Sequence, residues 1–156
     1  MKLGFPKVAV KLSGLYGQST YDYTMLGGYV IINDPDTVKG FETYENITIL
    51  SAWAEVMTTG KKIQGGLFLG YSKNLGTQDP FLSAPVYARG SDKGAGIDYL
   101  YRIAPRFIYN IGKFRLAPEI EYTVAGYGTT SDTDGKVSDA EPVGNFRFLL
   151  GVYYFF

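Results

Sequence analysis

The chain has no cysteine and no histidine. The first absence excludes disulfides and thiolate metal sites. The second removes the usual general base and the commonest metal ligand. Fifteen Lys and Arg balance fifteen Asp and Glu. A nucleic-acid binder carries a basic excess, so no nucleic-acid partner is expected. No stretch reaches the ~18 apolar residues of a transmembrane helix. A transmembrane strand escapes that test, because it carries apolar residues only at every second position. The opening M-K-L-G-F-P-K-V-A-V-K-L is interrupted by Lys7 and Lys11. It holds no apolar core of ~7–15 residues, so no secretory signal is read in this chain. With no Ser-His pair and no cluster of metal ligands, neither an enzyme nor a bound metal or cofactor is expected.

What is present is aromatic and glycine-rich: 14 Tyr, 10 Phe and 20 Gly in 156 residues. The last twelve residues read N-F-R-F-L-L-G-V-Y-Y-F-F. Phe146, Phe148, Leu150, Val152, Tyr154 and Phe156 fall at alternate positions, so a strand there has one wholly apolar face. The other face is mixed.

Six further strand candidates precede it, at about 7–17, 24–32, 46–58, 61–75, 97–110 and 113–127. Thr59-Gly60 and Ile111-Gly112 read as tight turns. The stretches 33–45, 76–96 and 128–144 read as long polar loops rich in Asp, Gly, Ser and Pro. The connection at 18–23 is expected on the side of the tight turns. An eighth strand within 79–89 is opposed by Pro80 and Pro85.

Pairing outward from Ile111-Gly112 sets Tyr109 against Phe114, Ile103 against Ile120 and Arg102 against Glu121, with Pro105 facing Pro118. Around Thr59-Gly60 the same exercise sets Val56 against Ile63, and Trp53 over Gly66. Each register sorts its two strands into an apolar face and a polar one. The outward aromatics gather near the strand ends. Tyr109, Phe114, Tyr154 and Phe156 lie on the turn side. Tyr71, Tyr99, Tyr101, Tyr122, Phe146 and Phe148 lie toward the loops.

The C-terminal strand, ending in Phe156 after five alternating apolar positions, resembles that of Gram-negative outer-membrane proteins of the porin type. Trp53-Ala-Glu55 and Leu67-Phe-Leu-Gly-Tyr71 have the general look of strands in such proteins. The resemblance implies an all-β fold: an antiparallel up-and-down transmembrane β-barrel, or the C-terminal part of one, with about 7–8 strands here. It implies an outer-membrane location, the lipid bilayer and lipopolysaccharide as surroundings, and passive transport of small hydrophilic solutes. Phe146, Phe148, Leu150, Val152, Tyr154 and Phe156 would then form the insertion signal read by the barrel-assembly machinery. Association between copies is left open.

Bacterial single-chain barrels usually have an even number of strands, and an open sheet leaves two unsatisfied edges in lipid. Seven candidates and no signal therefore suggest that residues 1–156 are a single β-barrel domain forming the C-terminal portion of a larger barrel.

On the polar face, Arg102, Arg106, Arg115 and Arg147 stand beside Glu119 and Glu121. Such a ladder suits the lumen of a pore, where it creates a transverse field that filters solutes. The plainer reading is a neutralised ion-pair network filling a small barrel. Two other readings compete with a channel. One is a structural or adhesive outer-membrane barrel without transport. The other is a soluble lipocalin-like barrel with its apolar face turned inward. Asp132-Thr-Asp134-Gly135 begins like a calcium loop, but Val143 stands where the twelfth-position Glu belongs. A solvated surface loop is the reading there.

Overall fold

The computed structural model describes residues 1–24, 26–31, 43–80, 86–88 and 96–156. Seven strands form one antiparallel sheet in the order β1 (Lys2–Gly4), β2 (Val8–Gln18), β5 (Thr48–Thr58), β6 (Ile63–Gly76), β8 (Gly96–Ile111), β9 (Phe114–Thr130) and β10 (Val137–Tyr154). A second, small sheet sets β3 (Gly28–Ile31) between β4 (Tyr44–Asn46) and β7 (Val86–Ala88). One helical turn, α1 (Tyr21–Thr24), precedes it. The protein is thus all-β and up-and-down. Among the described residues β1 and β10 remain the two edges of the large sheet, which does not close on itself.

Successive strands meet through residues 5–7, 59–62 and 112–113 at one end, and through 19–47, 77–95 and 131–136 at the other. Short turns on one side and longer connections on the other follow the expected layout. Three expectations about the layout fail. The segment 24–32 does not join the large sheet, because β2 pairs directly with β5, from Val8↔Thr58 to Gln18↔Thr48. Its strand, β3, lies in the small sheet instead. For the same reason the connection at 18–23 belongs to the long-loop end. Of the eighth-strand candidate, residues 81–85 and 89 lie outside the described residues, and among the described residues Val86–Ala88 pairs with β3 and not with the large sheet. The loop expected at 128–144 shrinks to 131–136. β9 runs on to Thr130, and β10 starts at Val137 with a bulge between Ser138 and Glu141.

Both hairpin registers differ from the sequence expectation, each by an even number of residues. In β8–β9, Ile111 pairs with Phe114 and Arg102 with Thr123, a shift of two. The loop is Gly112-Lys113, with Gly112 at φ +56°. This puts the glycine at the first loop position, as a type II′ turn requires. In β5–β6, Val56 pairs with Leu67 and Trp53 with Gly70, a shift of four. An even shift changes every partner but leaves each side chain on its own face.

The prolines consequently do not face each other. With Ile111 and Phe114 closing a two-residue loop, hydrogen-bonded pairs recur at alternate positions, which include 105 with 120 and 107 with 118. Pro105 and Pro118 therefore fall at hydrogen-bonded sites within this hairpin. Residues 104, 105, 107 and 108 have no partner across it. The ladders to the neighbouring strands run through Leu67↔Pro105 and Leu150↔Pro118. The loss expected on those ladders thus falls on the hairpin itself.

The even positions of β2, β5, β9 and β10 and the odd positions of β6 and β8 form the apolar face. It is exposed along its length: Leu67 40%, Phe107 45%, Leu150 68% and Phe148 76%. The compact core lies elsewhere, at the long-loop end of the opposite face. There Leu26, Ile47, Ile49 and Ile97 are buried against Leu100 and Ala125. Gly135 of the 131–136 loop lies within van der Waals reach of Ile47 and Val30. Thr77 donates its backbone N–H to Asp134 O at 2.8 Å. The described residues between β2 and β5, together with the last loop, thus cap one end of the sheet.

Candidate functional site

Alternation places charged side chains of five strands on the face opposite the apolar one. Glu55 of β5 is the hub. Its Oε2 lies 2.6 Å from Lys11 Nζ of β2, and its Oε1 lies 3.0 Å from Arg106 NH1 of β8. Arg106 reaches it by passing over β6 at Gly66, which pairs with Arg106 on one side and Met57 on the other. A Cβ at Gly66 would stand 3.2 Å from Arg106 Cγ, so the glycine keeps the path open. Arg106 Nε is also 3.0 Å from Glu119 Oε2 of β9, its directly opposite residue. That N–H is not aligned for a hydrogen bond, so the contact is ionic.

A second group lies nearer the capped end. Glu121 Oε2 holds Arg147 NH2 of β10 at 2.9 Å and Arg102 NH1 of β8 at 3.3 Å. Arg102 Nε donates to Thr123 Oγ1 at 3.0 Å. Arg115 stands apart from both groups. Its Nε donates to Asn110 Oδ1 at 2.8 Å, and its guanidinium lies 5.3 Å from the centre of the Phe155 ring.

All six residues singled out from the sequence therefore share this face, and five of them are ion-paired. The Arg102–Glu121 pair forms, though as a diagonal contact and not a directly opposite one. Sequence reading missed Glu55 and Lys11, which complete the first group. Alternation on 7–17 and 46–58 puts both on the polar face, so the signal was there for the face but not for the contact. The face lines two recesses of about 380 and 640 Å³, one around Arg102, Glu121 and Arg147, the other around Arg106, Arg115 and Glu119.

The apolar face carries two rows of touching rings. Toward the capped end, centroids run Tyr71–Tyr99 6.5 Å, Tyr99–Tyr101 6.4 Å, Tyr101–Tyr122 6.5 Å and Tyr122–Phe146 4.4 Å, crossing four strands. Tyr99 lies over Gly126 and Tyr122 over Gly144, where a Cβ would collide with the rings. An aromatic covering a cross-strand glycine restores packing that the glycine gives up. At the turn end Phe114 meets Tyr154 at 4.9 Å, and Tyr154 meets Phe156 at 5.4 Å. Lys62 Nζ sits 5.8 Å from the centre of the Tyr109 ring. Phe148, Leu150 and Val152 project between the rows, and all three are exposed.

Among the described residues no group of three or more acidic side chains is placed to hold a metal ion. Asp134, in the stretch that begins like a calcium loop, instead pairs with Lys136 at 2.9 Å. The hydrogen bond from the Lys136 ammonium holds the Asp134 carboxyl below its usual value, outweighing partial burial. Comparison with protein-family models, with curated proteins and with solved structures finds no match to this chain.

Proposed function

We propose that the chain forms an outer-membrane β-barrel, or the C-terminal part of one, that passively admits small hydrophilic solutes, in the manner of a porin. The observation that carries this reading is the pairing of the two faces. One is apolar, continuous and exposed over six strands, and the other is charged and lines the two recesses. Monomeric soluble proteins rarely expose apolar patches beyond a few hundred Å². Lipid is the solvent that such a face suits, and water the one that suits its opposite.

The ring rows support a membrane thickness. Tyr101 to Tyr109, Phe114 to Tyr122 and Phe146 to Tyr154 each span eight residue steps. At roughly 3.4 Å per step this is about 27 Å along a strand. Tilted by roughly 40°, it gives a band of about 20 Å, near the apolar height of outer-membrane barrels. The rows would lie at the two interfaces, where Tyr is at home.

Closure needs further strands. All neighbours in the sheet are antiparallel, so β1 and β10 run in the same direction. Antiparallel closure therefore requires an odd number of added strands, from a longer chain or from another copy. In this reading Phe146, Phe148, Leu150, Val152, Tyr154 and Phe156 meet lipid and serve as the strand engaged by the barrel-assembly machinery. Arg102, Arg106, Arg115, Glu119, Glu121 and Arg147 line the lumen.

A second reading is a structural barrel without transport. It is favoured by one observation: each lumen charge except Arg115 is already paired, as expected of an interior filled by its own side chains. Refolding into detergent micelles, with electrophoresis before and after boiling, tests the membrane reading. A heat-dependent mobility shift is expected, and a soluble monomer needing no detergent would overturn it. Planar-bilayer recording then separates the channel, with discrete conductance steps, from the structural barrel, with none.

A further inference from the structure

Trp53 is the chain's single tryptophan. It is not in either ring row of the apolar face. It projects from the charged face of β5 and is 37% exposed. Its ring lies 5.8 Å from that of Phe68 on β6, the planes tilted by 32°. The residue opposite Trp53 is Gly70, and the Phe68 ring leans over that glycine, where a Cβ would stand 3.0 Å from it. Two recesses, of about 120 and 180 Å³, flank the ring. Tyr23 and Thr24 of α1, Ser51 and Trp53 line both.

The chemistry of this spot differs from that of the ion-pair groups nearby. Among the described residues neither recess is lined by a carboxylate. The one charged group, Arg102, is already held by Glu121 and Thr123. The remaining polar groups are mostly hydroxyls. Ser51 Oγ and Ser72 Oγ are 2.8 Å apart, and Ser51 Oγ donates to the Tyr71 carbonyl at 3.3 Å. A flat aromatic surface edged by hydroxyls, with a few fixed polar groups, has the character of a ligand site. A cation would find no counter-charge here. An anion would find its only partner already engaged. A wholly apolar ligand would strip water from the hydroxyls without replacing its hydrogen bonds.

We infer that Trp53, Phe68 and Tyr23, with Ser51 and Ser72, form a subsite for a neutral sugar ring. One CH face of the sugar stacks on the indole, and its edge hydroxyls bond the serines. The inference rests on the reading that the charged face meets water, and it names the solute class such a channel would favour.

The test is a titration of the refolded full chain in detergent with glucose and with a glucose disaccharide, following Trp53 emission. No other indole contributes to the signal. A saturable change is expected, with a dissociation constant on the order of millimolar. Losing one hydrogen bond in Ser72→Ala should weaken binding about three- to tenfold. Ser51→Ala, at a less buried position, should do the same where Ser72→Ala folds poorly. A flat titration with both sugars overturns the subsite, as does tighter binding of glucuronate than of glucose. Conductance without sugar binding sinks the subsite and leaves the channel standing. Sugar binding without conductance supports the subsite and removes the channel.

Discussion

Arg106 on β8 holds Glu55 on β5 across the full width of β6, with NH1 3.0 Å from Oε1. Glu55 is buried, whereas Arg106 and Lys11 are partly exposed, so the carboxylate is the member that depends on its partners. Glu55→Ala leaves Lys11 and Arg106 without their acceptor. Charge-assisted hydrogen bonds contribute about 1.5–3 kcal/mol each, and a loss of about 2–3 kcal/mol is expected. Arg106→Ala also strips Glu119 of its partner, but Glu119 is the more exposed carboxylate and Glu55 keeps Lys11, so it should cost less. Urea unfolding in detergent of both single variants and the double variant measures the coupling. A coupling energy indistinguishable from zero would show that the contact across β6 contributes nothing.

The two faces predict opposite responses to one substitution at adjacent positions. Leu150 lies midway between Phe146 and Tyr154 on the apolar face, while Leu149 lies on the charged face, paired with Glu119. An arginine on the lipid face at mid-membrane costs about 2–4 kcal/mol. Leu150→Arg should therefore lower folded yield in lipid vesicles sharply. Leu149→Arg places its charge beside Glu119 and should be nearly neutral. Equal effects would remove the case for lipid on the Leu150 side.

At the capped end the Asp134–Lys136 pair makes loop docking depend on pH. The Asp134 carboxyl is held below its usual 3.8, first by the Lys136 side-chain hydrogen bond. A depressed native value stabilises the folded loop above the unfolded value, and that contribution fades as pH falls through the lowered one. Thr77 reports on docking, because its N–H donates to the Asp134 carbonyl. The Thr77 amide protection factor should fall as the pH drops below the usual carboxyl value of 3.8. Asp134→Asn should keep the backbone bond and flatten this profile. An unchanged profile in that variant would assign the pH dependence to another group.

How much of this was legible in the sequence follows from the period of a strand. Alternation assigns a side chain to a face, and every face assignment survives in β5, β6, β8, β9 and β10, because both register errors are even. The partners were not legible. Nothing local distinguishes Gly112 as first loop residue from Gly112 as second, and only the chain's pairing settles its φ of +56°. Likewise Tyr29, Val30 and Ile31 do form a strand, but strand propensity does not say in which sheet. The Glu55–Arg106 contact joins residues two strands apart, and its only local trace is Gly66, the gap through which the arginine passes.

The register of the β8–β9 hairpin can be read directly, because the chain has no cysteine to confuse an introduced pair. Asn110 pairs with Arg115, next to the hydrogen-bonded pair that closes the turn, which makes it a non-hydrogen-bonded site. Side chains at such sites come closest, with Cβ atoms about 4.5–5.5 Å apart, and short movement brings them to the roughly 3.5–4.5 Å of a disulfide. Asn110→Cys with Arg115→Cys should therefore oxidise readily in the folded protein. Asn110→Cys with Lys113→Cys, the pair that a loop at Ile111-Gly112 would set opposite each other, should not. The same result bears on the prolines. In the observed register Pro118 occupies a hydrogen-bonded site, so Pro118→Val supplies a missing N–H and should lengthen the protected ladder of this hairpin. Were the Lys113 pair to oxidise instead, Pro118 would stand at a site that needs no donor, and that substitution would gain nothing.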